Sequence, residues 1–177
     1  MSLQNIYFEL SKEMDDEYYT ELARTEVLLI PVIIDKIYEN PVNSFYAEGL
    51  LEKISEVLPK LVYPYFSYIT EILNLVDSVN TWNVWRIITN LISCDFDNVW
   101  DSIREKYFSA LKSNSVVEFS IACDCAEKVV ASKPNDKDAI IDILNNIGSH
   151  KYLVAGEESE GSLEVAKQKA NELLEKL

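Results

Sequence analysis

Glycine is scarce, with four in 177 residues. Few glycines leave few sites for tight hairpin turns, which excludes a hairpin-rich β fold. Histidine occurs once, at His150. A Ser–His–acid arrangement would have to use it, yet no nucleophile elbow or glycine-rich turn accompanies it. His150 therefore reads as a solvent-exposed loop residue. There are three cysteines, Cys94, Cys123 and Cys125. Their odd number, inside apolar helical patterns, suits reduced thiols in a cytoplasm better than a disulfide framework. Cys123 and Cys125 point about 200° apart on a helix and cannot chelate one metal. No Cys-x-x-Cys, HExxH, phosphate loop or dinucleotide glycine pattern is present. The acidic pairs Asp15-Asp16 and Glu157-Glu158 lack the partner spacing of a carboxylate metal site. No enzyme activity, metal or cofactor is expected. Long hydrophobic runs are missing too. The longest, Val27 to Ile34, is interrupted by Pro31 and falls short of the ~20 residues that cross a bilayer. No basic region leads an apolar stretch at the N-terminus, so neither a signal peptide nor a membrane partner is expected, and a cytoplasmic location is. Positive charge is in short supply: 16 Lys and Arg against 30 Asp and Glu, net −14. Such a surface repels a phosphate backbone and attracts basic partners, so a nucleic-acid partner is not expected.

What is present is ordinary for a globular chain: 48% hydrophobic and 26% charged residues, enough for a single domain over 1–177 with a real core. Nearly every segment reads as helix. Tyr7 to about Ala23 is acidic and weakly amphipathic. Glu26 to Tyr38 is strongly apolar, with Pro31 as a kink or break. Residues 40–44 stop that helix, and Ser44 is placed to cap the next. Phe45 to Leu58 sets Leu51, Ile54, Leu58 and Leu61 on one face. Pro64 then sits in the first turn of a helix carrying Phe66, Ile69, Leu73 and Val76. Residues 79–81 make a turn.

Sliding the sequence against itself exposes a repeat. A shift of 34 aligns Leu51, Trp85 and Phe119, then Ile54, Ile88 and Ala122, Val57, Leu91 and Cys125, and Leu58, Ile92 and Ala126. In the following helices it pairs Tyr65 with Val99, Phe66 with Trp100, Ile69 with Ile103 and Leu73 with Tyr107. A third second-helix, "DAIIDILNNIG", fits at a shift of 41, which sets Val99, Trp100 and Ile103 against Ile140, Ile141 and Leu144. One helix pair cannot bury its own apolar stripe, but neighbours in register can bury a continuous core. The expected fold is all-α: an α-α superhelix of about three to four stacked antiparallel helix pairs, with core repeats over about 45–148. The acidic stretch 149–161 reads as a flexible loop. Ser162 caps a final helix over 162–177, with Leu163, Ala166, Ala170, Leu173 and Leu177 at heptad-like spacing, too short for a coiled coil and long enough to cap a stack.

The paired helices and the ending "IIDILNNIG" (140–148) resemble HEAT-like, armadillo-type α-helical repeats, and "DNVWDSIR" (97–104) hints at their Asp…Val-Arg signature. The 34-residue spacing, with Ala110, Ala122 and Pro134, also resembles tetratricopeptide repeats, the second reading. The resemblance to HEAT repeats implies that second helices line a concave side, with Tyr68, Glu71, Asp101, Arg104, Glu105, Phe108, Asp138 and Asp142 on its ridge.

All three tryptophans lie between Thr81 and Trp100. Trp85 and Trp100 fall on the repeat's large apolar positions and are expected in the core. Trp82 aligns with Glu48, has no apolar equivalent, and is expected to stay partly exposed, four residues from Arg86 and within reach of a cation–π contact. The functional expectation is a non-catalytic protein–protein interaction scaffold for a basic or amphipathic protein segment. Its expected binding residues are Tyr68, Glu71, Trp82, Arg86, Asp101, Arg104, Glu105 and Phe108. The alternative is an enzyme or nucleic-acid-processing protein on a HEAT-like scaffold, which would need a basic groove.

Overall fold

A computed structural model describes residues 15–75 and 82–177, the side chain of Val42 excepted. The expected helix before residue 15, the place of Val76 and the turn at 79–81 lie outside the described residues. The described chain is all-α apart from one two-stranded ribbon. It divides into two compact units, Met1–Val99 and Trp100–Leu177.

In the first unit, α1 (Asp16–Leu22), α2 (Leu29–Glu39) and α3 (Phe45–Val57) are followed by the short helices α4 (Pro59–Val62) and α5 (Phe66–Glu71), then α6 (Trp82–Leu91). The central helix is α3, which packs against α1, α2 and α6. Its buried stripe is Ala47, Leu50, Leu51 and Ile54, and α2 supplies Leu29, Ile33 and Ile37. Each such Leu or Ile contributes roughly 1.5–3 kcal/mol by leaving water. Pro31 neither kinks nor breaks α2, because it falls in the first turn, where an amide has no helical acceptor to lose. Ser44 stands at the N-cap position of α3 without capping an amide; its hydroxyl lies between the Pro41 carbonyl and the Glu48 carboxyl.

The expected apolar face past Ile54 does not continue as drawn. The chain turns at Leu58-Pro59, the helical phase restarts, and Val62 is buried while Val57 and Leu61 are exposed. A similar reset puts Ile72, not Leu73, in the core. The last turn tightens to a 3-10 helix at Ile72–Asn74, whose period of three aligns Ile72 with Ile69 and Phe66.

The repeat offset has a physical counterpart here. Glu52 Oε1 on α3 meets Arg86 Nη1 on α6 at 3.7 Å. Farther along both helices, Ser55 Oγ accepts from Asn90 Nδ2 at 2.9 Å. The two pairs advance together, so α3 and α6 lie side by side and run in the same direction. Beyond them the Tyr63 hydroxyl donates to Asp97 Oδ2 at 2.9 Å.

In the second unit, α7 (Val99–Leu111, its first residue belonging to the first unit), α8 (Val116–Ser132) and α9 (Lys137–Asn145) lead to the ribbon and then α10 (Glu160–Leu174). The buried stripe of α10 is Ala166, Ala170 and Leu173, packed against α8 and α9. Two alanines in that stripe let the helix axes approach closely. Salt bridges Lys169–Asp124 and Lys176–Glu127 flank the α8–α10 contact. On α7 and after it, the buried positions Trp100, Ile103 and Tyr107 recur at Ile140, Ile143 and Ile147. At the expected shift of 41, Ile103 and Leu144 are both buried, while Trp100 is buried and Ile141 only half-buried.

Residues 149–161, expected as a loop, carry a short ribbon and the start of the last helix. Strands β1 (Leu153–Val154) and β2 (Glu157–Glu158) pair antiparallel. Ala155 and Gly156 connect them with φ 53 and 88, the left-handed pair that a two-residue hairpin requires. Tyr152 pins the hairpin: it is fully buried, its ring 5.9 Å from Phe119. The final helix starts earlier than expected, with Ser159 rather than Ser162 as N-cap, its hydroxyl accepting from the Ser162 amide at 3.2 Å.

Candidate functional site

In a helix whose core phase is set by Ala47, Leu50, Leu51 and Ile54, positions 45, 46, 49, 52 and 53 face the other way. On that face of α3 lies a cleft of about 490 Å³, lined also by Asp16 at the start of α1 and by Asn83 and Arg86 on α6. A second hollow of about 360 Å³ shares Asp16 and Lys53 and adds Glu17, Thr20, Glu21 and Val57. Gly49 leaves the space where its Cβ would stand open, so the cleft is uncovered there. Phe45 is 67% exposed and Tyr46 43%, and their rings meet edge to face at 5.7 Å. Two large rings side by side in water are a costly use of apolar surface, since each offers 150–250 Å² for burial.

The charges around the two hollows are mixed, with an acidic excess: Asp16, Glu17, Glu21 and Glu52 against Lys53 and Arg86. The cations are loosely held. Lys53 meets Glu56 at 3.5 Å and Arg86 meets Glu52 at 3.7 Å; all but the Glu52 side chain, at 19%, are well exposed. Such pairs contribute at most about 1 kcal/mol, so a partner's charges can replace either member at little cost.

The expected binding residues fall in both units. In the first, Tyr68 is 64% exposed and its carbonyl accepts from the Tyr38 hydroxyl at 2.6 Å. Glu71 is exposed and accepts from Asn74 at 2.7 Å. Trp82 is 44% exposed at the start of α6, one residue before Asn83 of the cleft. Arg86 lines the cleft, and its partner is Glu52 rather than the Trp82 ring. In the second unit, Asp101 and Glu105 are exposed on α7, as are Asp138 and Asp142 on α9. Arg104 donates through Nε to Asp136 Oδ1 at 2.6 Å, pairs with Glu105 at 3.1 Å, and lies 4.5 Å over the Phe108 ring. Phe108 is buried, a correction to its place on an open ridge: Arg104 covers one face of the ring, and the ring sits 6.0 Å from Tyr107.

Phe45 and Tyr46 escaped the sequence reading, although the phase of Leu50, Leu51 and Ile54 places them outside the core. Asp136 escaped it as well. It is buried and accepts from Trp100 Nε1 at 2.9 Å as well as from Arg104. The indole N–H of a buried tryptophan needs such a partner, but alignment of apolar positions does not reveal which residue provides it.

No chemistry converges elsewhere among the described residues. Burial pushes the Cys123 thiol up to about 12, with Lys169 pulling the other way, so it stays protonated and unreactive at neutral pH. His150 is half-buried, its ring 6.4 Å from Tyr152. Among the described residues no three His, Cys, Asp or Glu side chains gather as a metal site, and no helix is long and apolar enough to cross a membrane. Comparison with known proteins finds no family model, no curated protein and no solved structure that matches this chain.

Proposed function

We propose that this protein is a non-catalytic helical interaction module, built as a HEAT-like stack of helix pairs, that binds a basic or amphipathic segment of another protein in the cytoplasm. The exposed Phe45–Tyr46 pair beside the α1–α3–α6 cleft carries this reading. Apolar rings surrounded by exchangeable, mainly acidic charge are what an amphipathic helix with basic flanks can bury. The offset pairs Glu52–Arg86 and Ser55–Asn90 support the stacked architecture, because neighbouring repeats place equivalent helices side by side and parallel. The competing class, a nucleic-acid-processing enzyme on such a scaffold, needs a basic groove. Here the cleft's two cations each adjoin a carboxylate.

The test is affinity capture from native cell extract with wild type and with a Phe45→Ser/Tyr46→Ser double variant as bait. Both positions are exposed, so the variant folds. A protein retained by wild type and lost from the variant supports the reading. Nucleic acid or a small molecule as the retained species overturns it.

A further inference from the structure

Phe96 is the most exposed of the described aromatic rings, at 76%, and its surroundings hold it there. It lies in the loop that leaves the C-terminal end of α6, a helix length beyond the Phe45–Tyr46 cleft. The Phe96 amide donates to the Cys94 carbonyl at 2.9 Å. Asp95 Oδ1 accepts from the Val99 amide at 2.8 Å. Asn98 adopts φ 57, a left-handed conformation that asparagine tolerates better than most residues. On the other side, the Tyr63 hydroxyl donates to Asp97 Oδ2 and accepts from the Asp97 amide, at 2.9 and 2.8 Å. The Tyr63 ring then meets Phe96 edge-on at 5.7 Å and 80°. The Phe96 ring is left 76% exposed, with Asp95 and Asp97 on either side of it in the chain. A floppy loop would let the ring fold against the surface, whereas this one is tied on both sides.

We propose that the Phe96 loop is an arginine-binding anchor for a partner protein, the guanidinium stacking on the Phe96 ring and donating to Asp97. Charge complementarity selects the occupant. The ring's negative face attracts a cation, and Asp95 and Asp97 adjoin Phe96 in a chain of net −14. Tyr63 donates to Oδ2 of Asp97, and Oδ1 is the oxygen that would take the guanidinium N–H. Arginine fits better than lysine, because its planar, weakly hydrated guanidinium can stack and hydrogen-bond at once. The same combination exists within this protein, where Arg104 lies over Phe108 while pairing with Asp136 and Glu105. There it is closed. At Phe96 the ring and the carboxylate are present and the arginine is to come from outside. This site shares no residue with the cleft, so it can hold or fail independently of the proposed function.

The test is a nuclear magnetic resonance titration of the full chain with three blocked tripeptides, Gly-Xaa-Gly, where Xaa is arginine, lysine or citrulline, the neutral isostere of arginine. With arginine, shifts should concentrate at Tyr63 and residues 95–98, with a Kd on the order of millimolar, the strength of a single contact site. Citrulline should bind at least several-fold more weakly. Phe96→Ala should lose the response and Phe96→Tyr keep it; the position is exposed, so both variants fold. Arginine-induced shifts spread over the acidic surface, or unchanged in Phe96→Ala, would overturn the proposal, as would an equal response to citrulline.

Discussion

The side-chain amide of Asn90 on α6 donates to Ser55 Oγ on α3 at 2.9 Å and reaches the Glu52 carbonyl at 3.3 Å. Both residues are buried. A polar pair in this position fixes how two apolar helix faces slide against each other, because any other register strands a buried amide. Asn90→Ala should therefore cost about 1–3 kcal/mol in denaturant unfolding. A double-mutant cycle with Ser55→Ala should show coupling of about 0.5–1.5 kcal/mol. Additive effects would mean that the pair does not hold the register.

The tryptophans sort by burial. Trp85 and Trp100 are 3% and 1% exposed, and Trp82 is 44%. Trp85→Ala should cost roughly 3–5 kcal/mol and Trp82→Ala clearly less. Iodide should quench only the Trp82 component of the native fluorescence; ready quenching of Trp85 would contradict the packing of α6.

Glu48 is a buried carboxyl beside Ser44, whose single proton faces two acceptors, the Pro41 carbonyl and Glu48 itself. A protonated Glu48 resolves the conflict by donating to Ser44. Burial raises the Glu48 pKa above its ordinary 4.5, and the Ser44 contact opposes the rise. The folded state thus holds this proton to higher pH than the unfolded chain, and between the two values stability falls as pH rises. Glu48→Gln keeps a donor to Ser44 and removes the charge. It should be more stable than wild type at pH 7, and the difference should vanish as pH drops below 4.5. A difference independent of pH would show that Glu48 does not titrate in this way.

Tyr152 presents the reverse case. Its ring packs on Phe119, but its hydroxyl is buried and meets no hydrogen-bond partner among the described residues. Leaving such a group unsatisfied costs about 1–3 kcal/mol, so Tyr152→Phe should raise stability by roughly 1 kcal/mol in thermal or denaturant unfolding. A loss of that size would mean that a bound water satisfies the hydroxyl.

The all-α class and most of the core were legible because helical periodicity survives in a single sequence. Leu51, Ile54, Trp85, Ile88, Phe119 and Ala122 are all buried, as the 34-residue alignment requires. The alignment also set Val57 with Leu91 and Cys125, yet Val57, the last residue of α3, is 54% exposed. Leu61 follows the turn at Pro59, and Leu73 lies within a 3-10 turn, where the phase shifts. The hairpin was missed because its turn, Ala155-Gly156, carries only one residue that announces a positive φ. Polar partnerships such as Trp100–Asp136 and Tyr63–Asp97 join residues far apart in sequence, and apolar periodicity is silent about them. The exposed rings of Phe45, Tyr46 and Phe96 were the informative surface. They were hidden among many aromatic residues whose exposure depends on helix phase.

The most direct measurement of the interaction account is a hydroxyl-radical footprint of the protein, free and bound to the protein captured from its native extract. Protection should concentrate on Phe45, Tyr46 and Trp82, with Trp85 unreactive in both states, and should weaken as salt is raised from low to physiological strength, where the Debye length shortens to ~8 Å. Unchanged reactivity of Phe45 and Tyr46 in a saturated complex, or protection by nucleic acid in place of a protein, would contradict it.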